Sequence, residues 1–312
     1  MTILPFFHLS LYQMYFLFIV WSFIGWGLEV IVLTYETGEY QNRGFLNGPI
    51  CPIYGMGVLM IVTVFRPIQG NAVVLFFGSM ILCTVFELLV GLLLEALFHN
   101  RWWDYSHMRF NYKGLISLPA SLFWGIGCVG AIRVVNPFFI KCIGMIPVKA
   151  GLVFIFITGV MIAIDTISSV KAVNSLNDKL KQLDVISKKM LDVSVAIGLV
   201  ISDKTNDVLE DCDKIVQKTT EAAEKVSATA KEITSETKAE LTEEYNELKL
   251  KYEDLLGMKN MSDRLIKAFP ALKNKKYDNV LRDLKHKVSP KSTEHFEIHL
   301  DEIKRLRDKF GK

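Results

Sequence analysis

Residues 42–57 read Asn-Arg-Gly-Phe-Leu-Asn-Gly-Pro-Ile-Cys-Pro-Ile-Tyr-Gly-Met-Gly, and no uninterrupted helix accommodates them. Four glycines and two prolines stand here between two apolar runs. Glycine costs roughly 1 kcal/mol and proline roughly 3 kcal/mol in a helix interior, and each proline removes a backbone donor. Non-helical backbone at membrane depth is tolerated only where it is buried in protein or lines a wet cavity. Two arrangements meet that constraint. The stretch is a surface loop leading into a helix start, or residues 44–57 form a re-entrant element at a functional cavity.

The flanking sequence is that of a membrane protein. A span needs roughly 20 apolar residues, and residues 11–33, 72–98, 115–135 and 148–168 meet that length. The first of these reads as a retained helix rather than a signal peptide. Residues 53–65 supply only 13 before Arg66 and cross the bilayer only if the turn before them joins in. The expected fold is all-α, a polytopic bundle of about five spans, with residues 137–147 as a short interfacial piece. Only 8 of the 36 Lys and Arg and 7 of the 33 Asp and Glu precede residue 171. A transmembrane domain over 1–170 is thus expected to be followed by a soluble helical region. Counting basic residues by side puts the C-terminal region, and with it both long polar loops, in the cytoplasm of a cell-membrane protein.

From 171 to 256 there is no proline and a single glycine. Apolar residues at steps of three and four (Val173, Leu176, Leu180, Leu183, Met190, Ile197, Ile201, Val208, Ile215) form an imperfect coiled-coil seam. The register changes around 216–225, which favours an antiparallel hairpin over one rod, and a seam of this kind offers a route to a homo-oligomer. This region carries a net charge of −5, whereas residues 257–312 form a small basic helical unit of net charge +7. In that unit Ser262 and Ser292 are placed as helix caps, and Pro270 and Pro290 interrupt. No basic pattern interleaved with aromatic residues argues for nucleic acid. The partner that the composition does imply is the lipid bilayer.

An offset of 66 residues aligns Gly25, Leu28 and Glu29 with Gly91, Leu94 and Glu95, Arg43 with Arg109, Gly48 with Gly114 and Ile50 with Ile116. That makes six identities in 26 ungapped positions, the trace of a two-helix tandem repeat. Ionisable groups inside spans are costly and mark functional sites by default. Glu87 lies two residues from the midpoint of its span, and Glu29 seven from the midpoint of its own. Glu87, Gly91 and Glu95 share one stripe, and Gly25 precedes Glu29 by the same step of four. The pattern predicts a carboxylate-lined interface between the first and third spans. The counter-ions are expected to be Arg43 and Arg109, each 14 residues beyond a glutamate. Asn42, Asn47, Asp104 and Asn111 complete the set of polar-core or substrate-path candidates. Trp102 and Trp103 read as interfacial anchors.

The five cysteines show no metal-ligand or redox spacing and read as packed free thiols. No catalytic signature and no GxxxxGK[ST] loop is present, so no catalytic residue, metal or cofactor is expected.

Several of these residues also carry a family resemblance. They are Gly25-Trp-Gly-Leu-Glu29, the run Asn42 to Gly55, Glu87, Glu95, Trp102-Trp-Asp-Tyr-Ser106, Asn111 to Leu118 and Trp124-Gly125. Through them residues 12–170 resemble a bacterial family catalogued as ABC-transporter type IV permeases. The run from Arg264 to Lys273 is similar to tails attached to such domains. The resemblance implies a multi-pass permease-like component of unknown substrate, working with a separate ATPase subunit. Two further readings stand beside it: a membrane-anchored interaction protein acting through its cytoplasmic coiled coil, and an intramembrane enzyme on a lipid-linked substrate.

Overall fold

The computed structural model describes residues 9–65, 70–202, 235–259, 261–291, 293–294 and 297–298. Those of Met1–Asn177 and Asn260–Lys312 make one compact unit, and those of Asp178–Lys259 a second. The fold is mostly helical. Helix α1 (Leu11–Thr37) opens with a reciprocal cap between Ser10 and Gln13 and ends at Gly38, whose positive φ of 71° lets its N–H reach Thr34 O. Helix α2 covers Pro52–Phe65 and α3 covers Ala72–Phe98, the latter capped by Asn71. Helix α4 (Leu118–Gly130), a π-helical segment (Ala131–Val135) and α5 (Asn136–Met145) follow without a break. Helix α6 runs from Val148 to Ser202.

Among the described residues, four helices are long and apolar enough to cross a membrane: Leu11–Thr37, Ala72–Phe98, Leu118–Met145 and Val148–Gly198. The chain is thus a multi-pass membrane protein, with four such helices rather than the five expected. The fifth expected span, α2, has 14 residues, about 21 Å of helix against roughly 30 Å of hydrocarbon. Its start is set by Pro52, which occupies the first helical position, where a missing N–H costs nothing. The separate interfacial piece expected at 137–147 is absent. The π turn, an extra residue absorbed without breaking the ladder, carries α4 through into α5.

Both inter-helix loops fold back along the helix that precedes them. Cys51 N–H donates to Ser22 O at 2.9 Å, and Ser22 lies 15 residues, about 22 Å, back from the end of α1. At that level Gly25 faces the Tyr54 ring and Gly55 faces Ser22 and Phe18, so closely that a Cβ on either glycine would overlap its neighbour. Helix α2 therefore packs antiparallel against the first half of α1 alone, and irregular chain fills the other half. Helix α4 likewise begins beside the middle of α3, where Thr84 Oγ1 donates to Ser121 Oγ at 2.7 Å. Beside α1, and running with it, lies α6: Phe154 stacks on Phe16 with centroids 5.1 Å apart, and Tyr15 and Thr158 share a hydrogen bond of 2.8 Å. The core, around Leu17, Trp21, Ile61, Leu75 and Ile132, sits at the end opposite the loops.

The C-terminal piece belongs to the same unit. It comprises α8 (Asp263–Ala268) and α9 (Asp278–Val288), with strand β4 (Lys273–Asn274) between them. Strand β4 pairs antiparallel with β1 (Asn100–Arg101), while β2 (Asn111–Tyr112) and β3 (Ile116–Ser117) make a second two-residue pair inside the loop. Ser262 precedes α8 but its hydroxyl makes no cap, and Ser292 lies outside the described residues.

In the second unit, α6 continues to Ser202, and α7 spans Ser235–Gly257. Lys179 Nζ donates to Met258 O at 2.8 Å. The end of the expected seam, including Val208 and Ile215, and the register change at 216–225 lie outside the described residues. The described residues do not establish a coiled coil.

The packing of α3 on α4 brings Cys83 Sγ within 3.8 Å of Cys128 Sγ. Mild oxidation of the purified protein is expected to join these two thiols, read as a cross-linked peptide pair by mass spectrometry. Preferential pairing of either one with Cys51 or Cys142 would contradict this helix packing.

Candidate functional site

The loop between α1 and α2 owes its shape to polar groups that answer its unpaired backbone. Asn42 accepts from Trp26 Nε1 at 2.6 Å and donates to Asn47 O at 2.6 Å. Asp165 of α6 accepts from Asn47 N at 2.9 Å, Asn47 Nδ2 at 2.6 Å and Gly48 N at 2.8 Å. From this held loop Arg43 turns back to α1. Its Nε pairs with Glu29 Oε2 at 2.8 Å and its Nη1 with Glu36 Oε2 at 3.4 Å. Burial opposes the guanidinium charge, but Glu29 and Glu36 outweigh it and keep Arg43 protonated. Tyr54, in the first turn of α2, donates to the other oxygen of Glu29 at 2.6 Å.

A second polar knot surrounds Glu87, which is only 6% exposed. Tyr105, from the loop between α3 and α4, donates to its Oε1, and Trp124 Nε1 of α4 to its Oε2, each at 3.1 Å. Burial and the neighbouring carboxylate push the Tyr105 phenol well above its ordinary value, so it remains a donor. The Tyr54 and Trp124 rings meet edge to face with centroids 5.3 Å apart, linking the two knots.

Three expectations are corrected. Glu29 and Glu87 do not line a common interface of α1 and α3; α1 packs on α2 and α3 on α4, so each carboxylate faces its own partner helix and loop. Arg109 is exposed and makes no ion pair among the described residues. Glu95 is held instead by Lys275 at 2.8 Å and Arg101 at 3.3 Å. Trp102 is not a lipid anchor. It is 3% exposed, with the Phe45, Phe98 and Phe269 rings around it. Asp104 and Asn111 organise the second loop. Asp104 accepts from Ser106 N and Oγ, each at 2.9 Å, and pairs with Lys273 at 2.5 Å. Asn111 donates to Met108 O at 2.7 Å. Burial works against the Asp104 charge, but the Lys273 and Ser106 bonds hold its carboxyl below the ordinary value.

Between the two helix pairs lies a cavity of about 120 Å³, walled by Trp21, Gly25, Tyr54, Phe123 and Trp124 and reaching Glu87. No group of three metal-ligating side chains occurs among the described residues.

The sequence reading missed the contribution of the C-terminal piece. Arg264 donates to Gly44 O at 2.9 Å and to Phe45 O at 2.8 Å, and Lys273 and Lys275 reach Asp104 and Glu95. Tyr54, Tyr105 and Trp124 were also missed as carboxylate donors, although Tyr54 stands within the 42–57 motif. Asp165 had a signal: it is the one acidic residue between 148 and 170.

Two outcomes follow from these contacts. Arg43→Ala and Glu29→Ala, made singly and together, are expected to be non-additive in detergent melting, with a coupling of about 1–2 kcal/mol; simple additivity contradicts the pairing. Lys285, donating to Pro270 O and Leu272 O at 2.6 Å each, is lowered by burial from 10.5 to about 8. The folded C-terminal piece thus holds this proton less tightly than the unfolded chain. Its stability rises as pH climbs from about 8 towards 10.5, and that gain is lost below about 8. In carbon-13 NMR of the reductively methylated protein, one lysine should titrate near 8, and its signal should vanish in Lys285→Arg.

A family model described as Putative ABC-transporter type IV matches residues 16–170. No curated protein and no solved structure matches the chain.

Proposed function

Residues 16–170 belong to the Putative ABC-transporter type IV family, and on that premise we propose that the chain is the permease-like component of a cell-membrane transporter. The observation that carries this reading is the half-length helix α2, with non-helical chain beside the other half of α1. Discontinuous helices of this kind build substrate sites in transporters, where unwound backbone and buried ionisable groups meet near the midplane. Here the break ends at Pro52, two residues before Tyr54, and Arg43, Glu29 and Glu87 lead from the polar loops to the cavity between the helix pairs.

The back-folded loop after α1 and the similar one after α3 support the tandem two-helix repeat, with the site at the junction of the two copies. Both loops face the cytoplasm in this reading, together with the C-terminal piece that binds them. The chain carries no nucleotide-binding loop of the GxxxxGK[ST] type, so a separate ATPase subunit supplies the energy. The second unit serves as an assembly element, in keeping with the contact of Lys179 at its start with Met258 at its end.

Single cysteines on a background free of the native thiols test the path. A cysteine in place of Pro49, which is exposed, should react with a membrane-impermeant maleimide from the same side as one in place of Lys113. Complete protection of both Pro49→Cys and Glu87→Cys in folded protein would overturn the transport reading.

A further inference from the structure

Four carboxylates lie within α1 and α3, and they are not balanced alike: Glu36 shares Arg43 with Glu29. Glu29 has Arg43 and Glu95 has Arg101 and Lys275. Glu87 has only the neutral donors Tyr105 and Trp124, and no cation pairs with it among the described residues. Each of its oxygens accepts one hydrogen bond, while a carboxylate offers about four acceptor sites. A carboxylate this deeply buried and without a counter-charge is costly, and the missing positive charge has a place to sit. The cavity that reaches Glu87 is walled by Trp21, Tyr54, Phe86, Phe123 and Trp124. Aromatic faces attract cations through their quadrupoles, Trp most strongly, and cages of such rings with a nearby anion are the common means of holding alkylated ammonium groups.

Size and access narrow the ligand further. At about 120 Å³ the cavity is smaller than the roughly 150 Å³ pocket that encloses a benzene ring. It therefore holds a compact head and not a large body. Leu28 and Phe123 stand at its margin, 44% and 60% exposed on the outer surface of the helix pairs. An apolar tail can run out between them to the acyl chains of the bilayer.

We propose that this cavity binds organic ammonium ions, the charged head caged by the aromatic rings beside Glu87 and the apolar body trailing towards the lipid. The proposal rests on the transport reading above and names its substrate class as lipophilic ammonium compounds. Glu87 supplies the charge that selects them, and Trp124 and Tyr105 hold its carboxylate in place.

The test uses the full chain in nanodiscs of zwitterionic lipid and radiolabelled benzyltrimethylammonium as the probe. Saturable binding is expected, with Glu87→Gln weakening it at least about tenfold while leaving the melting transition in place. A second measurement needs no variant. Neopentylbenzene, the uncharged isostere in which carbon replaces the nitrogen, should fail to displace the cation from the unaltered protein. Absence of saturable binding, equal binding by Glu87→Gln, or displacement by the neutral isostere as effective as by unlabelled cation would overturn the proposal. Any of these together with a reactive Pro49→Cys removes the substrate class and leaves the transport reading standing; protection at residues 49 and 87 removes the transport reading itself.

Discussion

Backbone that leaves the helical ladder inside an apolar bundle has to find its partners within the protein, and this requirement governs the arrangement of the membrane unit. In hydrocarbon, each unanswered N–H or C=O costs several kcal/mol. The chain before α2 meets the demand from three directions. Ser22 O of α1 takes the N–H of Cys51, Asp165 of α6 takes those of Asn47 and Gly48, and Arg264 supplies Gly44 O and Phe45 O. Without Asp165, two amides would be left bare at once, at about 1–3 kcal/mol each where they are buried. The acidic residue in the apolar part of α6 is therefore explained by the loop it faces.

Once the loop is held, the rest of the site follows by packing. Helix α2 starts beside the middle of α1 because two glycines, Gly25 and Gly55, let the helices approach without a Cβ between them. That contact directs Tyr54 onto Glu29 and sets its ring against Trp124 of α4. Trp124 in turn donates to Glu87. Two carboxylates on different helices are thus linked through one aromatic contact. The cavity lies between these two helices, walled on one side by Trp21, Gly25 and Leu28 of α1 and on the other by Cys83, Phe86 and Glu87 of α3.

Much of this was legible in the sequence, and the illegible parts share a cause. Long apolar runs, the helix-breaking segment and the pairing of Glu29 with Arg43 are local or nearly so, and spacing was enough to read them. The same spacing failed for Glu95 and Arg109. The second loop turns through left-handed residues at His99, Phe110 and Lys113, and its β2–β3 pair leaves Arg109 on the outside. The partner that replaces it, Lys275, arrives from the far end of the chain. Trp102 misled for the same reason: an aromatic residue at a span end reads as a lipid anchor until Phe269 covers it. Periodicity says nothing of a distant segment that returns to cover a loop.

That returning segment gives the two loops a common frame. Arg264 grips the first loop through carbonyls, which it can do only by giving up water; burial lowers its ordinary basicity, and Asp165 compensates in part. Nine residues on, β4 pairs with β1 at the entry to the second loop, and Asn274 donates to the buried Asn100 at 2.7 Å. The first loop leads into Tyr54 and the second carries Tyr105, the two phenols that donate to Glu29 and Glu87. A displacement of one loop therefore strains a segment that also holds the other. The geometry around the two carboxylates is set jointly, by a piece of chain that follows the four apolar helices in sequence and contributes no atom to the cavity.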